Sequence, residues 1–312
     1  IRAEATRDRR ELLIETEIRR TGRNRTLVNR QPLRRTRDLL GALRVSVFAP
    51  DDLELVKGSP GLRRRFVDDL AVAMDPNLDA RRTEVDRVLR QRNALLKQVK
   101  GRLDDDAATT LEVWDTKLAV AGEALGRMRK ELVDRMFPFL AGAYAELAGG
   151  ARSASMRYAP AWADHGLDAA LRAARADDLR RGVTTVGPHR DEIELSLGGE
   201  PARTHASQGE QRTFALALRL AGHRLVTEVP YSAPILLLDD VFSELDASRR
   251  AALLATLPEG QTLFGAREAS AVPTLAAIGD RWPQITARDT YAEGLRTFVG
   301  GLLGPQRREH SG

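Results

Sequence analysis

In "ELLIETEI", residues 11–18, Leu12, Ile14, Thr16 and Ile18 alternate with Glu11, Glu15 and Glu17, the period of two that marks a half-buried strand. The turn-forming "RRTGRNR" then leads into "TLVN", which predicts a hairpin with Gly22 and Asn24 suited to left-handed turn positions. Beyond "FAPDDLELVKGSPGLRRRFVDDL" the period lengthens. From Leu78 onward Val85, Val88, Leu95, Val99 and Leu103 recur with charges between them. Leu111, Trp114, Leu118, Ala121, Leu125, Met128, Leu132 and Phe139 then follow three- and four-residue steps, interrupted at Arg135, as the seam of a coiled coil does. The two arms flank the acidic, turn-like "LDDDAATT", so an antiparallel helical hairpin is predicted.

Past Gly149 and Gly150 the strand signals return. "VTTVGPHRDEIELSLGGEP" predicts a short β run, a Gly-Pro turn, a strand in which Ile193, Leu195 and Leu197 alternate, and a Gly-Gly turn. Sheet-like ends therefore bracket a helical middle. The expected fold class is α/β, one globular head of mixed sheets and helices built from both ends of the chain, carrying an inserted antiparallel helical hairpin arm.

Composition narrows the chemistry. The 312 residues carry 49 Lys and Arg against 44 Asp and Glu, a formal net charge of +5, and the sequence pI is about 9.8. An acidic polymer such as DNA is a natural partner for such a balance, and a basic, soluble surface accounts for it equally. Arg19, Arg20, Arg23, Arg25, Arg30, Arg34, Arg35 and Arg37 crowd one segment, which reads either as a phosphate-tracking patch or as a solvated arginine-rich face. The chain has no cysteine, which removes disulfides, thiolate metal sites and cysteine nucleophiles together and agrees with a reducing compartment. No apolar run approaches the about 20 residues of a membrane span, and "IRAEATRDRR" is no signal peptide, so a soluble cytoplasmic protein is expected. His165, His189, His205, His223 and His310 show no metal-ligand spacing, although His189 and His205 fall near motif residues and are weak candidates for nucleotide or structural contacts.

Two stretches carry candidate chemistry. In "ASQGEQRTFALALRLAGHR" Ser207 and Glu210 have capping-box spacing, so a helix should start there, with Ser207 accepting from first-turn amides and Glu210 reaching back to a backbone N–H. Gly209 lets backbone amides come close to a ligand, and the helix dipole favours a phosphate at this end. For "S-x-G-E" alone an ordinary capped helix is the simpler reading. In "PILLLDDVFSELD" an apolar run, residues 235–238, ends in Asp239 and Asp240, as in a buried parallel strand presenting carboxylates at its C-terminal edge. Because successive strand side chains face opposite ways, one carboxylate can hold Mg²⁺ while its neighbour points to a water attacking a γ-phosphate. Taken alone, "DD" reads equally as a turn.

"SQGEQRT" followed by "ILLLDDVFSELD" resembles the signature motif, Walker B strand and D-loop of ABC-type ATPases, specifically the RecF family of bacterial DNA repair proteins. "GPHRDE", residues 187–192, is similar to that family's GPHRDD element, and "FAPDDLELVKGSP" to another RecF segment. The likeness runs from about Leu12 to Gly260. It implies that Ser207, Gln208, Gly209 and Glu210 contact ATP held by a partner subunit, that Asp239 coordinates Mg²⁺, that Asp240 replaces the usual catalytic glutamate, and that Ser243 and Asp246 lie in the D-loop. It also implies ATP-dependent homodimerisation on single- or double-stranded DNA and help from RecO and RecR in loading RecA at gaps, within DNA repair, DNA replication and the SOS response. Arg19, Arg20, Arg23 and Arg25 are the candidate DNA contacts.

Two departures stand out. RecF proteins begin with a strand and a Walker A loop, yet no G-x-x-x-x-G-K-[ST] occurs in this sequence, which starts at Ile1 rather than Met, so the loop is expected in a preceding segment. The stretch after "LPEGQTLF", where the resemblance implies another strand, is unfamiliar and receives no role. The expected organisation is 1–75, part of the head; 76–150, the arm; 151–265, the rest of the head with signature and Walker B motifs; and 266–312, a divergent or disordered tail. Two other readings stay open: a non-catalytic DNA-binding or partner-docking fragment, and another ABC-type chromosome-maintenance ATPase.

Overall fold

The alternation at Leu12, Ile14 and Thr16 becomes a strand that buries Ile14 and Thr16, with Glu11 and Glu17 exposed. The computed structural model describes residues 2–7, 10–17, 19, 21, 24–33, 44–150, 152–229, 234–242, 245–257 and 262–264. In chain order its strands are β1 Arg2–Arg7, β2 Arg10–Glu17, β3 Arg25–Val28, β4 Gln31–Pro32, β5 Val45–Phe48, β6 Ala154–Ala159, β7 Glu192–Leu197, β8 Glu200–Pro201, β9 Ile235–Leu238 and β10 Thr262–Phe264. The helices are α1 Glu54–Lys57, α2 Pro60–Met74, α3 Asp79–Val99, α4 Asp105–Ala148, α5 Leu167–Arg181, α6 Ala202–His205, α7 Gln208–Thr227 and α8 Ala247–Thr256. The chain divides into two units, Ile1–Asp52 with His223–Gly312, and Leu53–Gly222.

The first unit holds two sheets. β1 to β4 form an antiparallel meander, with Ile14 opposite Val28, Thr16 opposite Thr26 and Glu17 opposite Arg25. The predicted β2–β3 hairpin is present, and the Asn24 side chain accepts the Arg19 N–H at 3.2 Å within it. Gly22 lies outside the described residues. Asn24 is not among the described residues with left-handed backbone, which in this sheet are Asn29 and Arg30, φ 50° and 65°, the two-residue turn joining β3 to β4. The second sheet is parallel, in the order β10-β9-β5, with Leu236 to Leu238 buried at its centre. β10 lies within "LPEGQTLF", and the stretch after it, where another strand is expected, is outside the described residues.

The second unit is built on the helical hairpin. Asp104 caps α4, accepting the Ala107 N–H at 2.8 Å, so most of "LDDDAATT" is helix rather than turn. Along α4 the seam is as expected at Leu111, Leu118, Leu125, Met128 and Leu132; past exposed Arg135 it resumes at Met136, Leu140, Ala143 and Tyr144. The α3 stripe differs. Leu95 is half-buried, and Val85 and Val88 are continued by Arg92 and Leu96, both fully buried. Burying a guanidinium requires partners, and Arg92 finds Asp115 at 2.6 Å, Asp178 at 2.7 Å and Thr184 at 2.8 Å.

The antiparallel sheet β6-β7-β8 and helix α5 pack along α4. Small residues permit the approach: a Cβ on Gly126 would lie 2.6 Å from the Trp162 ring. β7 buries Ile193, Leu195 and Leu197 as the alternation predicts, and the Gly198-Gly199 turn follows with φ 60° and 87°. The β run expected at 183–186 is absent. There the backbone and hydroxyls are claimed by side chains: Asn93 takes the Thr184 N–H at 2.8 Å, and Asp178 takes the Thr185 N–H at 2.8 Å. No helix of the described residues is long and apolar enough to cross a membrane.

Candidate active site

The start of α7 is set by its own sequence. The Ser207 N–H donates to Glu210 Oε2 at 2.7 Å and the Glu210 N–H to Ser207 Oγ at 3.3 Å, so the capping box closes in both directions. These bonds from Ser207, backbone first, hold the Glu210 carboxyl below the usual range, with a smaller contribution from Arg152. Behind the cap, Gln211 is buried and its amide donates to the carbonyls of Ala202 and Arg203 at 3.2 and 3.0 Å, anchoring the turn. Ser207 and Gln208 are exposed, and Gly209 and Glu210 half-buried. The result is a capped helix end with Ser207 and Gln208 at the surface, and the first-turn amides and dipole of such an end are able to accept an anion.

The carboxylate pair sits in the other unit, at the C-terminal end of the central parallel strand β9. The Asp239 N–H continues the ladder to the Phe48 carbonyl at 2.9 Å. Asp240 has left it: its φ of 56° is in the left-handed region. The strict strand alternation expected of the pair therefore stops at Asp239, and the turn at Asp240 directs that side chain. Such a conformation costs a non-glycine residue about 1 kcal/mol, and Asp is among the residues that tolerate it best. Both are half-buried. Asp246 caps α8, taking the Arg249 N–H at 2.9 Å and the Arg249 guanidinium at 2.9 Å. Ser243 lies outside the described residues.

Oxygen donors of this kind suit Mg²⁺. Among the described residues no group of three or more His, Cys, Asp or Glu gathers as a metal cage. Mg²⁺ commonly takes only one or two carboxylates, the remaining positions going to phosphate oxygens and water, so the chemistry of Asp239 and Asp240 fits it.

The segment 187–192 turns Asp191 inward and leaves Glu192 half-buried. Asp191 accepts from the Tyr158 hydroxyl and from Trp162 Nε1 at 2.8 Å, and burial pushes its carboxyl up despite those bonds. Burial beside Asp191 likewise raises the Tyr158 hydroxyl. Glu192 pairs with Arg63 at 3.0 and 3.2 Å, and Arg64 donates to the Asp191 carbonyl at 2.6 Å. Arg129 joins the Pro188 carbonyl at 2.6 Å to both oxygens of Asp68, each at 2.8 Å. The two segments "GSPGLRRRFVD" and "GPHRDE" are thus joined by buried and part-buried ion pairs and hydrogen bonds, with Arg129 bridging them. His189 bonds the Thr184 carbonyl at 3.0 Å, and burial lowers its pKa; exposed His205 meets Thr204 at 2.9 Å.

Of the candidate DNA contacts, Arg19 and Arg25 are exposed, while Arg20 and Arg23 lie outside the described residues. Arg19 forks onto Glu17 at 3.2 and 3.1 Å, and Glu17 also stands opposite Arg25, so part of the positive charge counted in the sequence is neutralised locally.

No protein-family model matches the chain. Among solved structures it is similar to the recombination mediator protein RecF-ATPrS in the RecFOR pathway, with 29% identity and a TM-score of 0.72, covering 84% of this chain and 71% of that one. The RecF-ATP structure of the same pathway matches at 29% identity with a TM-score of 0.72, over 81% of this chain and 69% of its own.

Proposed function

We propose, from the premise that this chain is a RecF-like protein with an α/β ABC-type ATPase head, that it works as an ATP-dependent DNA-binding protein of recombinational repair. The observation that carries the reading is the closed Ser207–Glu210 capping box on an exposed helix end, in a chain with this likeness to RecF bound to ATP. Ser207, Gln208, Gly209 and Glu210 offer amides and a hydroxyl to the phosphates of ATP held by a second subunit. Asp239 would hold Mg²⁺, which supplies charge neutralisation between phosphate oxygens. Asp240 orients the attacking water and accepts its proton, and Ser243 and Asp246 form the adjoining D-loop. ATP-bound dimers close on single- or double-stranded DNA with Arg19, Arg20, Arg23 and Arg25 on the backbone, hydrolysis releases them, and with RecO and RecR they assist RecA loading.

The 312 residues contain no G-x-x-x-x-G-K-[ST], so the assay uses this chain joined to a RecF-type phosphate-loop segment. Asp240→Asn should leave ATP binding nearly intact and slow hydrolysis by on the order of 10²-fold, the scale of a lost general base, so that the dimer persists. Normal turnover in that variant would remove Asp240 from the chemistry. Absence of any Mg-ATP-dependent dimer in the unsubstituted protein would overturn the ATPase reading in favour of a non-catalytic DNA-binding module.

A further inference from the structure

Arg152 stands two residues before β6, in none of the short motifs quoted for the RecF likeness, and yet it touches the proposed signature. Its Nη1 donates to Glu210 Oε1 at 3.2 Å and its Nη2 to the Leu197 carbonyl at 2.8 Å. The guanidinium is seated by backbone. Leu197 ends β7, and the next residue, Gly198, has φ 60° and donates its N–H to the Ser153 carbonyl at 2.8 Å. A Cβ on Gly198 would come 3.0 Å from Arg152 Nε, so glycine suits both the left-handed backbone and the close seat of the guanidinium. Glu210 is thus held at both oxygens, Oε2 by the Ser207 N–H and Oε1 by Arg152. A continuous chain of hydrogen bonds runs from the end of β7 through Arg152 and Glu210 to Ser207.

Charge gives this chain a second consequence. A carboxylate in the first turn of a helix is favourable for the helix alone, since it meets the positive end of the dipole. It is unfavourable for a polyphosphate arriving at the same end. The Arg152 and Glu210 side chains are 32% and 26% exposed, so their pairing is only partly screened by water.

We propose that Arg152 is a positioning residue for the signature turn: acting through Glu210, it fixes the Ser207 end of α7 and cancels the charge that would repel a nucleotide phosphate there. The proposal rests on the reading of residues 207–210 as an ATP-contacting signature. Its two parts separate with lysine, which supplies the charge but cannot bridge Glu210 and Leu197 with a planar fork.

Two measurements test it. In the 312-residue chain without nucleotide, amide exchange at Ser207 should accelerate about tenfold in both Arg152→Ala and Arg152→Lys, because Glu210 is no longer anchored. In the chain joined to a RecF-type phosphate-loop segment, Arg152→Ala should raise the Mg-ATP concentration for half-maximal dimerisation about tenfold, and Arg152→Lys should recover most of that. Within Glu210→Gln, where no charge needs cancelling, Arg152→Ala should shift the midpoint less than about twofold. Equal shifts in both backgrounds would overturn action through Glu210, and unchanged Ser207 exchange would overturn the positioning. Failure of the signature reading itself shows differently: Ser207→Arg would then leave ATP-driven dimerisation intact, while Ser207 exchange still reports whether Arg152 holds the turn.

Discussion

Arg92 and Asp178 form an ion pair of 2.7 Å in which neither side chain has any solvent exposure. The pair joins α3 to α5, and Arg92 reaches Asp115 of α4 as well, so one guanidinium ties three helices together. Burying these charges is costly, and removing one partner leaves the other charge uncompensated. Arg92→Ala should therefore destabilise the protein by about 3–5 kcal/mol, since it strands Asp178 without its cation. Arg92→Met with Asp178→Asn should lose clearly less than Arg92→Met alone. Urea unfolding of the three variants decides the matter, and equal losses for the single and double variants would show that the stranded charge is not what costs stability.

The same arginine shows where sequence reading succeeds and where it stops. Val85 and Val88 reveal their burial by chemistry and spacing. Arg92 occupies the next position of that buried stripe, but its partners lie 23 and 86 residues away, so nothing local distinguishes it from a solvated charge. Strand alternation at Ile193, Leu195 and Leu197 is legible because one face alone is buried. "VTTV" has the composition of a strand without being one, because Asn93 and Asp178 have taken its hydrogen bonds. At the candidate site the contrast recurs. The Ser207–Glu210 capping box spans three residues and can be read from them directly, whereas the hold of Arg152 on Glu210 depends on the fold bringing the ends of α4 and β7 to α7.

Two glycines of α4 should respond oppositely to the same change. Alanine in a helix interior is ordinarily better than glycine by about 1 kcal/mol. At Gly142 a Cβ would meet nothing within 4 Å, so Gly142→Ala should stabilise the protein by up to about that amount. At Gly126 the new methyl would lie 2.6 Å from the Trp162 ring, whose Nε1 holds Asp191 at 2.8 Å. Gly126→Ala should cost about 1–3 kcal/mol through overpacking. Denaturant midpoints of the two variants moving in the same direction would contradict this packing.

If the β2–β3 hairpin follows a phosphate backbone, Arg25→Glu should weaken binding to all DNA sequences alike, because phosphate contacts carry no base information. The dependence of log affinity on log salt should flatten by about 0.9 for each phosphate that is no longer neutralised. Glu17→Gln should act in the opposite sense, releasing Arg19 from its carboxylate and removing a negative charge opposite Arg25. Titrations at several salt concentrations are the measurement, and an unchanged slope for Arg25→Glu would return this patch to a solvated face.

His223 in α7 should make stability depend on pH in a direction its surroundings fix. The side chain is 2% exposed, its Nδ1 has no hydrogen-bond partner among the described residues, and burial beside the charge of Arg224 pushes its pKa down to about 4. In the unfolded chain the imidazole titrates near about 6.5. Between those values the unfolded state binds the proton and the folded state refuses it, so stability falls as pH drops from about 6.5 to about 4, and is unaffected by this group above that window. At pH 5 the loss should be about 2 kcal/mol, and the full loss at lower pH about 3–3.5 kcal/mol. Leucine has a similar volume and no proton to gain, so His223→Leu should remove this component while the carboxylates titrate as before. Urea unfolding of both proteins at pH 7 and pH 5 isolates it as a difference of differences: the unsubstituted protein should lose about 2 kcal/mol more than His223→Leu on acidification. Parallel losses would mean that His223 accepts its proton in the folded state, and that a partner for its ring forms at low pH.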